Sequence, residues 1–191
     1  MNLRHRLNGQ NQNNVFKPNM ATMVIIVMGL PGSGKSYFAS RLAKAIEVEY
    51  INSDRVRKKM ITQRTYSSKE KQLVYNKMLE LMKLAVIQKK DIVLDGTFYK
   101  HSIRKKFIDE ARNATCIFFI EVRASESLIR ERLKQNRADS EADYTVYKII
   151  QAQWEPLQEK HLILQSTNDN INDMLQTAID YLRIKNDKRT N

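Results

Sequence analysis

Cysteine, proline and glycine are scarce in this chain of 191 residues, which contains one Cys, three Pro and five Gly. A single cysteine excludes a disulfide within the chain and a metal site built on several cysteines. Cys116 lies in the apolar segment 115–120, where we expect a buried strand residue, because free cysteine is among the most buried residue types. The three histidines lack metal-ligand spacing, so the sequence predicts no histidine metal cage.

Long apolar runs are also missing from the sequence. None approaches the ~20 residues that a membrane-spanning helix needs, and residues 1–19 contain no apolar stretch of the kind found in signal peptides. We therefore expect a cytoplasmic protein that does not bind a membrane. With 42% hydrophobic and 28% charged residues the composition is typical of a globular protein, and the length predicts one domain.

Positive charge is in excess, with 33 Lys and Arg against 21 Asp and Glu, a net charge of +12. Residues 1–20 contribute +3 (three basic, no acidic) and residues 183–191 another +3 (four basic, one acidic), so half of the excess lies near the ends. Residues 55–71 contribute a further +6, from seven basic residues and one acidic residue. Because clustered lysine and arginine attract phosphate groups, this internal segment is suited to an anionic substrate.

Strand-like and helical segments alternate along the chain. Apolar runs typical of buried strands occupy residues 23–28, 48–52, 92–94, 115–122 and 161–164. Helical spacing follows each of them, and the capping box of Ser67 and Glu70 opens a long helix whose apolar stripe is Leu73, Val74, Met78, Leu81, Met82 and Ala85. We predict an α/β fold with a five-stranded parallel sheet and helices on both faces. Residues 1–22 are predicted to be a disordered extension, 23–183 the domain, and 184–191 a flexible basic tail.

Residues 29–36 read GLPGSGKS and fit GxxxxGK[ST], the pattern of a phosphate-binding loop. In this pattern backbone N–H groups converge on phosphate oxygens, the lysine neutralises the β- and γ-phosphates, and the hydroxyl binds Mg²⁺. These roles fall to Lys35 and Ser36. The loop joins a predicted buried strand to a helix N-terminus, which favours anions, and the sequence lacks the Asn-Lys-x-Asp signature of guanine recognition. We predict ATP and Mg²⁺ binding, with the nucleotide held by Gly29, Leu30, Pro31, Gly32, Ser33, Gly34, Lys35, Ser36 and Tyr37.

Two carboxylates follow predicted strands, where ligands of parallel sheets bind. Asp54 comes 19 residues after Lys35. There it can accept the proton of an attacking hydroxyl while Arg57 holds the acceptor or the moving phosphoryl group. Ser53 or Asp54 is also predicted to be the N-cap of the following short basic helix, and for Asp54 the two roles are compatible. Asp95, which ends the apolar run 92–94, is typical of a Walker B carboxylate that orders Mg²⁺ directly or through water.

Arginines near residue 130 are candidates for a closing lid. Arg130, Arg132 and Arg137 lie in and just after a predicted helix and before the acidic stretch 138–143, an arrangement that suits a lid closing over phosphates. We assign Arg132 to nucleotide binding. Arg137 lies nearest the lid. We assign it the role of stabilising the negative charge that develops between donor and acceptor during transfer. The alternative for Arg130 is a solvated helix face with i,i+4 pairs.

With the loop GLPGSGKS, the segments INSDRVR (51–57) and LDGT (94–97) and an arginine-bearing lid, the chain resembles a P-loop kinase group of AAA-type ATP-binding proteins. That group includes the 5′-hydroxyl kinase domain of phage polynucleotide kinase and the zeta toxins, and the resemblance covers roughly residues 23–182. It implies a P-loop NTPase fold, a nucleoside-kinase-like three-layer sandwich. It further implies that Asp54 is the general base, that Arg57 binds phosphate, and that Arg137 or Arg132 is the lid arginine.

Three functions compete on this evidence. The first is ATP-dependent transfer of a γ-phosphoryl group to a hydroxyl of a nucleic-acid 5′ end, a nucleotide or a small metabolite, since fold resemblance indicates the reaction more firmly than the acceptor. The second is an ATP-binding switch or regulatory ATPase without a dedicated acceptor. The third is a nucleic-acid-binding module that acts through its basic surface.

Overall fold

The computed structural model describes residues 22–63, 65, 67–111, 115–135 and 142–187. Five parallel strands form one sheet in the order β2-β3-β1-β4-β5, which confirms the predicted fold class. β1 is central, between β3 and β4, and every residue of it except Met23 is buried, as a strand covered on both faces requires. The strands are β1 (Thr22–Met28), β2 (Glu49–Asn52), β3 (Ile92–Asp95), β4 (Thr115–Arg123) and β5 (Leu162–Gln165).

Helices cover both faces of this sheet. Because side chains alternate along a strand, Val24, Ile26 and Met28 pack with α3 and α4 on one face, while Ile25 and Val27 pack with α1 and α7 on the other. The result is the predicted three-layer arrangement with a separate apolar core on each face. The helices of the described residues are α1 (Lys35–Ala45), α2 (Ser53–Met60), α3 (Ser68–Ile87), α4 (His101–Ala111), α5 (Glu126–Leu133), α6 (Tyr144–Ala152) and α7 (Ile171–Asp187).

Several predicted details of the elements change in the structure. The cap of α2 is Asn52, whose side chain accepts the Arg55 N–H, so the prediction that Ser53 or Asp54 caps this helix is wrong. Ser67 caps α3 as predicted, by accepting the Glu70 N–H. Leu73 does not belong to the buried stripe of α3, because 54% of it is exposed.

The ends of the domain also differ from the sequence prediction. Thr22 belongs to β1 and residues 184–187 belong to α7, although we placed them in the terminal extensions. The rest of the predicted extensions, residues 1–21 and 188–191, lies outside the described residues. In the part of the chain that the structure describes, no helix is long and apolar enough to cross a membrane.

The register of the sheet brings three strand ends to one level. Asp95 of β3 is paired with Val27 of β1 on one side and with Asn52 of β2 on the other. The segments that follow β1, β2 and β3 therefore leave the sheet at the same edge, beyond the carboxyl ends of the strands. These segments are the phosphate-loop sequence, α2 and residues 96–100.

Candidate nucleotide and acceptor site

The phosphate-loop sequence wraps the N-terminus of α1 in a conformation that needs glycine. Gly34 precedes the helix with φ = 92°, in the left-handed region that side chains rarely adopt. A Cβ atom at this position would lie 2.8 Å from Ser166 Oγ and 3.1 Å from an Arg132 nitrogen. The loop is therefore fixed both by its backbone conformation and by the close approach of two other segments.

The N-terminus of α1 is open toward an anion. No side chain caps it and its first turn contains no acidic residue, so the first N–H groups and the positive end of the helix dipole remain available. Lys35 begins the helix and, among the residues that the structure describes, makes no ion pair. This combination fits a phosphate group, as the motif predicts.

Asp95 is a fully buried carboxylate beside the phosphate-loop sequence. Its Oδ2 accepts hydrogen bonds from the Tyr50 hydroxyl (2.7 Å) and the Asn52 amide (2.5 Å), while its Oδ1 has no hydrogen-bond partner among the described residues. The same Asn52 amide nitrogen lies 3.4 Å from Ser36 Oγ, which links the two predicted metal ligands. A buried carboxylate oxygen without a hydrogen bond fits a cation or a cation-bound water, so these residues fit Mg²⁺.

Tyr50 holds the Asp95 carboxylate in place. Burial, and then the negative charge of Asp95, keep the pKa of Tyr50 above its ordinary value of 10.0. The phenol therefore stays protonated and continues to donate its hydrogen bond to Asp95. Tyr50 thus orients one oxygen of the carboxylate and leaves the other for a cation.

Asp54 and Arg57 lie together, as the resemblance implies, but a third residue joins them. The Arg57 guanidinium is 2.5 Å from Asp54 Oδ1 and 2.9 Å from Glu70 Oε1, and the side chains of Arg57 and Glu70 are only 9% and 5% exposed. The other Glu70 oxygen accepts the Thr65 N–H at 2.6 Å. Asp54 remains 26% exposed, so its carboxylate is accessible from the surface. Arg57 is held on its buried side by Glu70.

Tyr75 joins this charged cluster to the segment after β3. Its hydroxyl is 3.2 Å from Thr97 Oγ1 and accepts the Phe98 N–H at 3.0 Å. Burial raises the pKa of Tyr75, and the charges of Asp54 and Arg57 act on it from nearby. Tyr75 thus contacts the segment after β3 from α3, the helix that also carries Glu70.

Arg132 connects the phosphate-loop sequence to the segment after β5. It donates to the Ser33 carbonyl (3.3 Å), to Ser166 Oγ (3.1 Å) and to the Thr167 carbonyl (2.6 Å). A cavity of about 550 Å³ lies here, lined by Arg132, Lys35, Tyr37 and the segment after β5. These contacts place Arg132 beside the nucleotide-binding loop, so its assignment to nucleotide binding stays a prediction with suitable geometry.

Of the other two candidate lid arginines, the structure describes Arg130 but not Arg137. Arg137 lies outside the described residues, so its role stays a prediction. Arg130 lies on an exposed helix face, 3.9 Å from Glu126 at i,i+4 spacing and 2.8 Å from the Tyr144 hydroxyl, which agrees with the solvated alternative. Within the described ranges, no three His, Cys, Asp or Glu side chains form a metal-binding group.

Sequence reasoning did not identify four residues that the structure adds to the site, namely Tyr50, Asn52, Glu70 and Tyr75. Tyr50 and Asn52 belong to β2, whose carboxyl end faces the site. Their position near the end of a parallel strand is the sequence feature that could have indicated a role in ligand binding. The capping box alone explains a glutamate at position 70, so the sequence pattern does not indicate its contact with Arg57. Tyr75 is helical and buried, and nothing in the pattern separates it from a core aromatic residue.

Comparisons with known proteins agree with this geometry. Residues 24–159 match the family described as AAA domain. No curated protein matches the chain in sequence.

Three solved structures illustrate the similarity in fold. A gluconokinase from Sinorhizobium meliloti 1021 has a TM-score of 0.68 at 18% identity, covering 90% of this chain and 97% of that one. The Mycobacterium tuberculosis APS kinase CysC, in complex with AMPPNP and APS, has a TM-score of 0.67 at 14% identity (86% and 99% covered). Chaetomium thermophilum Kti12, in complex with ADP-AlF3, has a TM-score of 0.62 at 21% identity (82% and 97% covered). At these identities the similarity establishes the fold alone.

Proposed function

The chain belongs to the AAA domain family, and on that premise we propose that it is an ATP-dependent kinase that transfers the γ-phosphoryl group to a hydroxyl acceptor. The phosphate-loop sequence and Asp95 supply the donor half of such a site. They are common to switches, regulatory ATPases and kinases, so they do not separate these classes.

The observation that carries the proposal is the second charged centre, formed by Asp54, Arg57 and Glu70. It lies at the carboxyl end of β2, next to the strand that carries Asp95, and the buried Glu70 fixes Arg57 in place. An ATPase needs only an ordered water opposite the γ-phosphate, whereas an accessible carboxylate with an anchored guanidinium suits a hydroxyl-bearing substrate. Solved structures of similar fold include a gluconokinase and an APS kinase, which agrees with this reading.

In the proposed reaction, the acceptor oxygen forms a bond to the γ-phosphorus while the bond from that phosphorus to the β,γ-bridging oxygen breaks. The proton of the acceptor hydroxyl passes to Asp54, and ADP leaves with the bridging oxygen. Lys35 and the N-terminus of α1 bind the transferring and leaving phosphates, and Arg57 holds the acceptor or the moving phosphoryl group. Ser36 and Asp95 would hold Mg²⁺, which neutralises phosphate charge when bound.

Asp54→Asn tests the assignment of the base. The amide keeps the shape of the side chain but cannot take a proton, so transfer from ATP to 5′-hydroxyl oligonucleotides, nucleosides and sugars should fall about 10²- to 10⁴-fold. The KM for ATP should change little, because Asp54 does not belong to the donor half. The matched control is Asp180→Asn, which alters an exposed carboxylate on α7 and should leave transfer unchanged. Unchanged transfer in a folded Asp54→Asn protein would rule out this base.

A further inference from the structure

A basic cavity lies between α3 and α4, next to the segment that follows β3. Its volume is about 340 Å³, and its lining includes Lys71, Lys100, Lys106 and the rings of Tyr75 and Tyr99. The Nζ atoms of Lys71 and Lys100 lie 5.6 and 5.8 Å from the centre of the Tyr99 ring, so two ammonium groups lie near one aromatic ring. In the part of the chain that the structure describes, no carboxylate lines this cavity, which we call the lysine cavity.

The three lysines differ from their neighbours in their ion pairs. Lys77 pairs with Glu80 (2.9 Å), Lys83 with Glu110 (2.8 Å) and Lys105 with Asp109 (2.6 Å), all on the same two helices. Within the described part of the chain, Lys71, Lys100 and Lys106 make no such pair. Three positively charged side chains thus line one concave surface, Lys71 and Lys100 half-buried and Lys106 exposed. Their summed charge attracts an anion to this surface.

The wall of the lysine cavity is held rigidly by a strained turn. Phe98 has φ = 46°, a conformation uncommon for a residue with a side chain. Its N–H is held by the Tyr75 hydroxyl (3.0 Å) and its carbonyl accepts from the buried Arg104 (2.8 Å). The next carbonyl, that of Tyr99, accepts the Glu155 N–H at 2.9 Å. Strained backbone persists where the surroundings fix it, and it is concentrated at binding sites.

Tyr75 connects the lysine cavity to the proposed base. Tyr75 lines the cavity, its hydroxyl lies 3.2 Å from Thr97 Oγ1, and it belongs to α3, the helix that carries Glu70. A ligand in the cavity therefore contacts the same helix that holds Arg57, the partner of Asp54, through Glu70.

We propose that the lysine cavity binds a phosphate group carried by the acceptor, so that the acceptor is itself a phosphorylated molecule. Lysine binds phosphate as a point charge, and three lysines match a multiply charged anion better than a single carboxylate, which arginine would recognise through two parallel hydrogen bonds. The Tyr99 ring offers an apolar face to the body of the same molecule. That this ligand is the acceptor rests on the proposed kinase function; the phosphate site itself does not.

Binding without turnover tests the site. The full chain is saturated with AMPPNP and Mg²⁺, so that the phosphate loop is occupied, and calorimetry compares thymidine 3′-monophosphate with thymidine and ribose 5-phosphate with ribose. At least one phosphorylated partner should bind about tenfold more tightly than its unphosphorylated counterpart, since a hydrogen bond to a charged group is worth that much. Preference in the first pair indicates a nucleotide or nucleic-acid acceptor, and preference in the second indicates a sugar metabolite.

Two triple variants that remove the same number of positive charges distinguish a specific phosphate site from general electrostatic attraction of the protein for anions. Lys71→Gln/Lys100→Gln/Lys106→Gln should abolish the preference for phosphate, while Lys77→Gln/Lys83→Gln/Lys105→Gln, which removes three paired lysines from the same helices, should retain it. Both variants should keep AMPPNP affinity. The proposal fails if neither pair of ligands shows a preference for the phosphorylated member, or if both variants lose that preference equally. It also fails if the protein prefers gluconate to glucose as strongly as it prefers a phosphorylated ligand to its unphosphorylated counterpart.

The same measurements distinguish this proposal from the kinase proposal. A phosphate preference in a protein that only hydrolyses ATP would refute the kinase and leave the phosphate site standing. Transfer to neutral acceptors, undiminished in the Lys71/Lys100/Lys106 variant, would support the kinase and refute the lysine cavity as its acceptor site.

Discussion

Arg57 is a nearly buried cation held between two carboxylates, the accessible Asp54 and the buried Glu70. Burying a guanidinium costs free energy that only well-placed acceptors offset. In the proposed site Glu70 is therefore a positioning residue, because it fixes Arg57 while the Asp54 carboxylate stays accessible from the surface. If Asp54 gives up its contact with Arg57 when substrate binds, the pair with Glu70 still holds the guanidinium in place.

Glu70→Gln should destabilise the protein strongly. The change removes the charged partner of a buried ion pair, and the free energy of unfolding should fall by about 3 kcal/mol. Glu80→Gln removes the exposed partner of Lys77 on the same helix, where the carboxylate is 62% exposed, and should cost less than about 1 kcal/mol. Urea unfolding measures both, and equal losses would show that the Arg57–Glu70 pair contributes no more than a surface contact.

The residues predicted from sequence are those whose role depends on local pattern. Lys35 and Ser36 are identified by the loop motif, because glycine spacing and helix start are encoded within eight residues. Asp54 and Arg57 are three positions apart and meet on one turn of α2. Glu70 meets Arg57 only because α3 packs against α2, and a contact set by tertiary packing leaves no local signal.

At the scale of elements, Asn52 joins β2 to α2 and both to the predicted metal site. Its Oδ1 accepts the Arg55 N–H (2.9 Å) and caps α2, while its Nδ2 donates to Asp95 (2.5 Å). One side chain therefore sets the start of the helix that carries Asp54 and Arg57 and also orients the carboxylate assigned to Mg²⁺. Asn52 thus connects the donor half of the proposed site to the helix of the proposed base.

Asn52→Asp should separate the two functions of Asn52. Aspartate caps helices as well as asparagine does, but here it places a second carboxylate against Asp95. In EDTA the variant should lose about 2 kcal/mol of unfolding free energy through like-charge repulsion, and added Mg²⁺ should restore much of it by binding between the carboxylates.

Asn52→Ser, which retains a neutral capping oxygen, is the matched control for this experiment. Its stability should depend on Mg²⁺ no more than that of the wild type. If Asn52→Asp is equally stable in EDTA and in Mg²⁺, Asp95 does not belong to a metal site.

The sequence pattern predicts the elements well because strand burial and helix amphipathicity are periodic. The five strands appear at the predicted places, and no strand end is shifted by more than one residue. The ends of elements depend on competing local partners, and Asn52 caps α2 in place of Ser53 or Asp54 for that reason. Leu73 is apolar and near the stripe of α3, yet it lies outside the face that contacts the sheet and remains exposed.

At the scale of the whole molecule, the sheet brings three kinds of charge to one edge. The phosphate-loop sequence follows β1, the Asp54–Arg57 pair follows β2, and Asp95 ends β3. The lysine cavity lies beyond the same strand. The segment 55–71 contributes +6 of the net charge of +12. Its Arg57 lies at the Asp54–Glu70 cluster and its Lys71 at the lysine cavity, where positive charge attracts an anionic substrate.

The fate of the γ-phosphoryl group tests the kinase proposal most directly. ATP labelled in that group is incubated with Mg²⁺ and a panel of phosphorylated and unphosphorylated hydroxyl acceptors, and the label is followed in the wild type, in Lys35→Ala and in the control Lys44→Ala, an exposed lysine on the same helix. The account predicts that the label appears on an acceptor in an amount equal to the ADP formed. Transfer should fall at least about 100-fold in Lys35→Ala and remain in Lys44→Ala. Release of the label as inorganic phosphate, at a rate that no acceptor changes, would contradict it.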